Sequence, residues 1–158
     1  MDEFTKFRDI IARLRAEDGC PWDREQTHAT LKAPCIEEAA EVICGINIFE
    51  ETGNADNLRE ELGDLLLQVV MHAQIAEEEG LFTMDDVIRE ISDKMIRRHP
   101  HVFGEVTVSD SNEVLKNWAE IKANEKAKKQ VKEEKYLKPA MIESKHLIDV
   151  AMERKNLK

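Results

Sequence analysis

Several things are missing from this chain, and each absence removes a class of function. No apolar run approaches the eighteen or so residues that a membrane-spanning helix requires. Met1-Asp2-Glu3-Phe4 is not a basic stretch leading into an apolar one, so no secretory leader is expected. Cysteine is scarce. Cys20, Cys35 and Cys44 form no C-x-x-C pair, so reduced thiols in a cytoplasmic protein are the plain reading and zinc has no ligand spacing to use. Positive charge is in deficit, with 23 Lys and Arg against 33 Asp and Glu and a formal net charge of -10. A surface of that sign repels duplex nucleic acid and anionic membranes. It does not exclude a nucleotide whose phosphates are screened by a metal. The chain also lacks a glycine-rich phosphate loop and any Ser, Cys and His arrangement suited to a nucleophilic triad. No strand pattern, internal repeat or low-complexity block is visible.

What is present is helical periodicity, in a chain long enough for one domain with a sizeable core. Phe4, Phe7, Ile11 and Leu14 recur at helical spacing and predict a helix over 3–17. Asp18-Gly19-Cys20-Pro21-Trp22-Asp23 interrupts it. Pro34 suits the first turn of a second helix running to about Glu51. Gly53-Asn54-Ala55-Asp56 reads as a turn, and a third helix runs from about Asn57 to Glu79, before Gly80. Thr83 and Asp86 resemble a capping box that opens a fourth helix to about His99, which Pro100 ends. A loop over 101–109 and a helix over 111–130 follow. From Ala127 to Lys135 the chain is crowded with Lys and Glu, and Pro139 is placed to start a last short helix. The pattern predicts an all-α helical bundle, with a domain over 1–126 and a charged linker with a C-terminal helix over 127–158.

Four acids stand out: Glu38 and Glu41 on the second helix, Glu61 and Asp64 on the third. Each pair is spaced i, i+3 and so shares a helix face. Both helices are apolar on nearly every other side, which predicts burial. Two carboxylates about 5 Å apart repel by roughly 3 kcal/mol at an effective dielectric of 20. Clustered acids therefore need a proton or a cation. An all-oxygen set with no His three residues after either acid favours Mg²⁺ or Mn²⁺ over a di-iron centre. The competing reading is that the acids reach solvent or pair with Arg59 or other cations.

Cations gather elsewhere. Lys94 and Arg98 are i, i+4 at the end of the fourth helix, where they either complement the helix dipole or grip phosphate oxygens. Trp118 and Lys122 are also i, i+4, and the Trp either packs in the core or lines a base pocket. Trp22 reads as a packing anchor. His72 lies two turns beyond Asp64, near enough to support the acids. His99 and His101 lack helical spacing and suit loop structure or capping.

Taken in order, the blocks Gly19-Cys20-Pro21-Trp22-Asp23, Glu37-Glu38-x-x-Glu41, Glu61-x-x-Asp64, Arg97-Arg98-His99-Pro100-His101-Val102-Phe103 and Trp118-x-x-Ile121-Lys122 closely resemble the MazG family of nucleoside triphosphate pyrophosphohydrolases, over about residues 4–125. The resemblance implies an all-α fold completed by dimerisation. It implies Mg²⁺-dependent hydrolysis, with Mn²⁺ as a substitute, of a nucleoside triphosphate to the monophosphate and pyrophosphate. It also implies metal ligation by Glu38, Glu41, Glu61 and Asp64, a role for Glu37 and Glu38 at the attacking water, and nucleotide contacts from Lys94, Arg98, Trp118 and Lys122. Longer members carry two such domains in tandem, and this chain looks like the first with a connecting helix. The alternatives are a non-catalytic dimerisation or nucleotide-sensing module of the same fold, or an all-α hydrolase of narrower specificity.

Overall fold

The computed structural model describes residues 1–157 and contains α1 (Glu3–Arg15), α2 (Pro21–Glu25), α3 (Lys32–Thr52), α4 (Asp56–Glu78), α5 (Met84–Arg98), α6 (Pro100–Phe103), α7 (Ser111–Lys128) and α8 (Glu134–Arg154). No strand occurs among the described residues. The expected all-α class is therefore what the chain adopts. It divides into two compact units, one of Met1–Met84 with the chain from Ala140 onward, the other of Asp85–Pro139.

In the first unit, α4 supplies most of the core. Val70, Met71, Ala73, Ile75 and Ala76 are buried on it, joined by Ile11 of α1 and by Leu31 and Met84. Each large apolar side chain removed from water in this way contributes about 1.5–3 kcal/mol. Asp2 caps α1, its carboxylate accepting from the Thr5 backbone N–H at 3.0 Å and from the Thr5 hydroxyl at 2.9 Å. Arg15, at the other end of α1, is nearly enclosed. Its guanidinium donates to both carboxylate oxygens of Glu78 and to the Asp23 and Gln26 carbonyls. This single side chain ties α1, the α2 turn and the end of α4 together. Trp22 was expected to anchor that turn but is 61% exposed, because the short α2 turns its ring outward and Arg15 holds the backbone instead.

Gly53, in the left-handed conformation with φ of 73°, ends α3, and α4 doubles back after it to form a helical hairpin. The two backbones approach closely at Gly45, where an added Cβ would lie 2.8 Å from the Leu58 Cα. The expectation that α3 is buried on most sides is not met within one chain. Gly45 is its only buried residue, whereas Ile43 is 59% exposed and Ile46, Ile48 and Phe49 also face outward. On α4, Leu62, Leu66 and Val69 are exposed as well.

Other boundaries differ locally. α1 stops at Arg15, and short helices occupy Pro21–Glu25 and Pro100–Phe103 where loops were expected, each begun by a proline whose missing N–H costs nothing in a first turn. α8 starts before Pro139 rather than at it and continues through it. The division between the two units falls at that residue.

His72 faces His28 rather than serving as a plain support for the acids. Their rings are stacked, 5.0 Å between centroids, with the two Nδ1 atoms 2.7 Å apart. At that distance one nitrogen donates and the other accepts, so the pair shares one proton between them. The second nitrogen of His28 lies 3.8 Å from Glu79. Burial, and then the charge on His28, hold His72 below the ordinary imidazole value.

Two predictions follow from this packing. Gly45→Ala lowers stability in chemical denaturation by about 1–3 kcal/mol, since the crowding against the Leu58 backbone outweighs the helix propensity gained. Gly63→Ala, where a Cβ meets nothing within 4 Å, shifts it the other way by up to about 1 kcal/mol. For the histidine pair, the unfolded chain takes up the proton more readily than folded His72 does. Its contribution to stability is therefore complete above pH ~6.5 and is lost as pH falls below that value. Thermal melts of wild type and His72→Gln across this range check the sign, the variant showing the weaker dependence.

Candidate metal and substrate site

The α3–α4 hairpin brings two acidic faces together. Carboxylate oxygens of Glu38, Glu61 and Asp64 all lie within 4.8 Å of one another, and Glu61 is buried. The i, i+3 spacing on α4 points Glu61 and Asp64 the same way, and Glu38 meets them from α3. Burial raises the Glu38 carboxyl above the ordinary value, and the charges of Asp64, Glu41 and Glu61 push it further. Arg59, the cation offered by the local sequence, pairs with Asp56 at 2.9 Å, one turn back on its own helix.

Asn57 was not identified from sequence. Its side-chain N–H donates to a Glu61 oxygen at 2.9 Å, and its own carbonyl oxygen is buried without a partner. The i, i+4 spacing of Asn57 and Glu61 was visible, but nothing local marked Asn57 as the residue that orients the carboxylate.

Glu37 and Glu41 lie on α3 beside this cluster, and both are engaged from the far end of the chain. Arg154 pairs with Glu37 and Lys155 with Glu41. The fourth proposed ligand is thus turned to an ammonium, while the other three converge. A pocket of about 370 Å³ opens here, with Glu37, Glu41 and Glu61 on one side and Ile148, Ala151 and Met152 of α8 on the other.

In the second unit, Lys94 and Arg98 share one face of α5, as their spacing predicts. They line a pocket of about 550 Å³ with Arg97, Lys128 and Lys129. Arg98 and Arg97 both donate to Glu125 of α7, at 2.6 and 2.7 Å. The Arg98 hydrogen bond leads in holding the Glu125 carboxyl down to about 2. Glu125 was another residue that sequence reasoning missed, because the contact joins two helices. Trp118 is half-exposed rather than core, with Arg98 5.9 Å above its ring and the His99 ring 6.1 Å away. Lys122 is exposed one turn further along α7. His99 donates to the Met95 carbonyl at 2.6 Å, which makes it a piece of loop structure.

Chemically, the first unit offers a cage of carboxylate oxygens whose mutual repulsion already shows in Glu38. That donor set suits a hard divalent cation such as Mg²⁺.

Residues 26–103 match the MazG nucleotide pyrophosphohydrolase domain. The chain is 51% identical over 126 residues to the nucleoside triphosphate pyrophosphohydrolase/pyrophosphatase MazG of Thermotoga maritima, covering 80% of this chain and 46% of that protein. It is 48% identical over 130 residues to the nucleoside triphosphate pyrophosphohydrolase of Escherichia coli K12, covering 82% of this chain and 48% of that protein. A Bacillus subtilis protein, YabN, is 57% identical over 124 residues, which cover 78% of this chain and 24% of that one. The chain thus spans about half the length of two of these relatives and a quarter of the third. With the acid cage inside the matched region and helices alone around it, residues 26–103 form a MazG nucleotide pyrophosphohydrolase domain.

Proposed function

We propose that this chain hydrolyses nucleoside triphosphates between the α and β phosphates in a divalent-metal-dependent reaction, releasing the nucleoside monophosphate and pyrophosphate. The observation that carries the reading is the convergence of Glu38, Glu61 and Asp64 from two helices into one oxygen cage. The names of the Thermotoga and Escherichia relatives point the same way.

Glu38, Glu41, Glu61 and Asp64 would hold Mg²⁺, or Mn²⁺ in its place, with Asn57 fixing the Glu61 carboxylate. The ion would supply charge neutralisation for phosphate oxygens and a lowered pKa for water. Glu37, next to Glu38 on α3, takes the proton of the attacking water with Glu38 assisting. The water oxygen bonds to the α phosphorus as the bond to the bridging oxygen breaks, and that oxygen leaves with the pyrophosphate. Lys94 and Arg98 supply positive charge to phosphate oxygens. Trp118 offers a ring face to the base, and Lys122 a further cation.

The exposed large apolar residues of the hairpin support a homodimer, since a helix pair with so many of them in water is expected to be covered by a partner.

Pyrophosphate release from each common triphosphate tests the assignment. Glu38→Gln and Asp64→Asn are expected to lower turnover by at least ~100-fold, on the scale of losing one catalytic electrostatic contact. They leave the metal-free chain as stable as wild type or more so, because each removes a like charge from the cluster. Wild-type turnover in both variants would end the reading. For the dimer, sedimentation equilibrium of wild type is expected to give twice the chain mass and Ile43→Glu/Val69→Glu the chain mass. A wild-type monomer would refute it.

A further inference from the structure

The end of α8 lies on the acids of the proposed site, and its chemistry is that of a stand-in cation. Arg154 and Lys155 are 117 and 114 residues away in sequence from Glu37 and Glu41, yet each pairs with one of them. The segment is held there by several features. Ala151 is buried, and Ile148 and Met152 form the apolar wall of the pocket beside the acids. Lys32 at the start of α3 pairs with Glu143 of α8 at 2.9 Å, so a second ion pair of reversed polarity sets the register of α8 on α3. The helix closes in a Schellman turn. The Leu157 N–H donates to the Met152 carbonyl at 2.9 Å and the Asn156 N–H to the Glu153 carbonyl at 3.1 Å, with Asn156 left-handed at φ of 54°. Lys155 is the residue at which the helix ends, so its ammonium leaves the helix just where the α3 acids are.

Cations at a helix C-terminus are favoured by the dipole alone. Here, however, the partners of both side chains are carboxylates of another helix. Glu37 is mostly enclosed, whereas its partner Arg154 is largely in water. In that pair the acid is the fixed half and the arginine the displaceable one, while Lys155 and Glu41 are about equally exposed. Lys155 occupies one oxygen of Glu41, and its positive charge opposes the approach of a second cation to the other.

We infer that the C-terminal turn of α8 is an autoinhibitory latch, in which Arg154 and Lys155 neutralise Glu37 and Glu41 while no divalent cation is bound and must let go for the cation to bind. The inference rests on reading the acids as a divalent-cation site. The gain for the protein is that the excess charge of the hairpin is partly compensated in the empty state, with the affinity for metal reduced in consequence.

The test is calorimetric titration of MgCl₂ into the full chain without nucleotide, comparing wild type with Arg154→Gln/Lys155→Gln. The double variant is expected to bind Mg²⁺ about threefold to tenfold more tightly, the scale set by two part-exposed ion pairs. The exchanged pair Arg154→Lys/Lys155→Arg, which keeps both charges, is expected to bind as wild type does. Hydrogen exchange at residues 151–157 of wild type is expected to quicken when Mg²⁺ is added. Equal or weaker affinity in the neutralised variant, or unchanged exchange, overturns the latch while leaving the metal site standing. Absence of Mg²⁺ binding in every variant overturns the metal site and the latch with it. Binding by the neutralised variant alone supports both. If neutralising both positions prevents folding, Lys155→Gln alone carries the same comparison.

Discussion

The electrostatic conflict between Glu38, Glu61 and Asp64 is the constraint on which the candidate site depends. Three carboxylates within 4.8 Å of one another, one of them buried, are brought together by the close packing of α3 against α4. Gly45 permits that packing by removing the side chain that would keep the helices apart. The cost appears in Glu38, whose proton is held above the ordinary carboxylate range by burial and by its acidic neighbours. A fold that gathers three carboxylates around one buried oxygen donor sets up a preference for positive charge at that point.

That preference is met in two ways by the chain's own groups. Asn57 donates a hydrogen bond to Glu61, which orients the carboxylate without cancelling its charge. Arg154 and Lys155 supply full positive charges to the flanking acids Glu37 and Glu41. In the second unit the balance is reversed, with Arg97 and Arg98 converging on Glu125 and holding its carboxyl at about 2. One unit therefore carries a site poor in cations and the other a pocket rich in them.

Legibility in sequence followed the range of the interaction. The acid pairs, the Lys94–Arg98 face and the Trp118–Lys122 face are i, i+3 or i, i+4 relations, and helical geometry places them unaided. The course of the main helices was visible for the same reason, since apolar periodicity and the Gly53 stop are local. Pro139 misled because a proline is a good first-turn residue, yet α8 runs through it. Trp22 misled because a large aromatic ring in a loop suggested an anchor, while an arginine on another helix held that loop. Burial of α3 was overestimated because amphipathic pattern reports a preference for cover and cannot say whether the same chain supplies it.

By itself the sequence determined that the chain is helical, where the principal helices run, and which acids and cations share a face, because each depends on residues within a turn or two. Tertiary structure alone decided that Glu38 joins Glu61 and Asp64, that Glu41 turns instead to Lys155, and that Arg97 and Arg98 close on Glu125. Those contacts cross between helices separated by tens of residues or more. Their geometry is set by how backbones pack, and no local spacing encodes it.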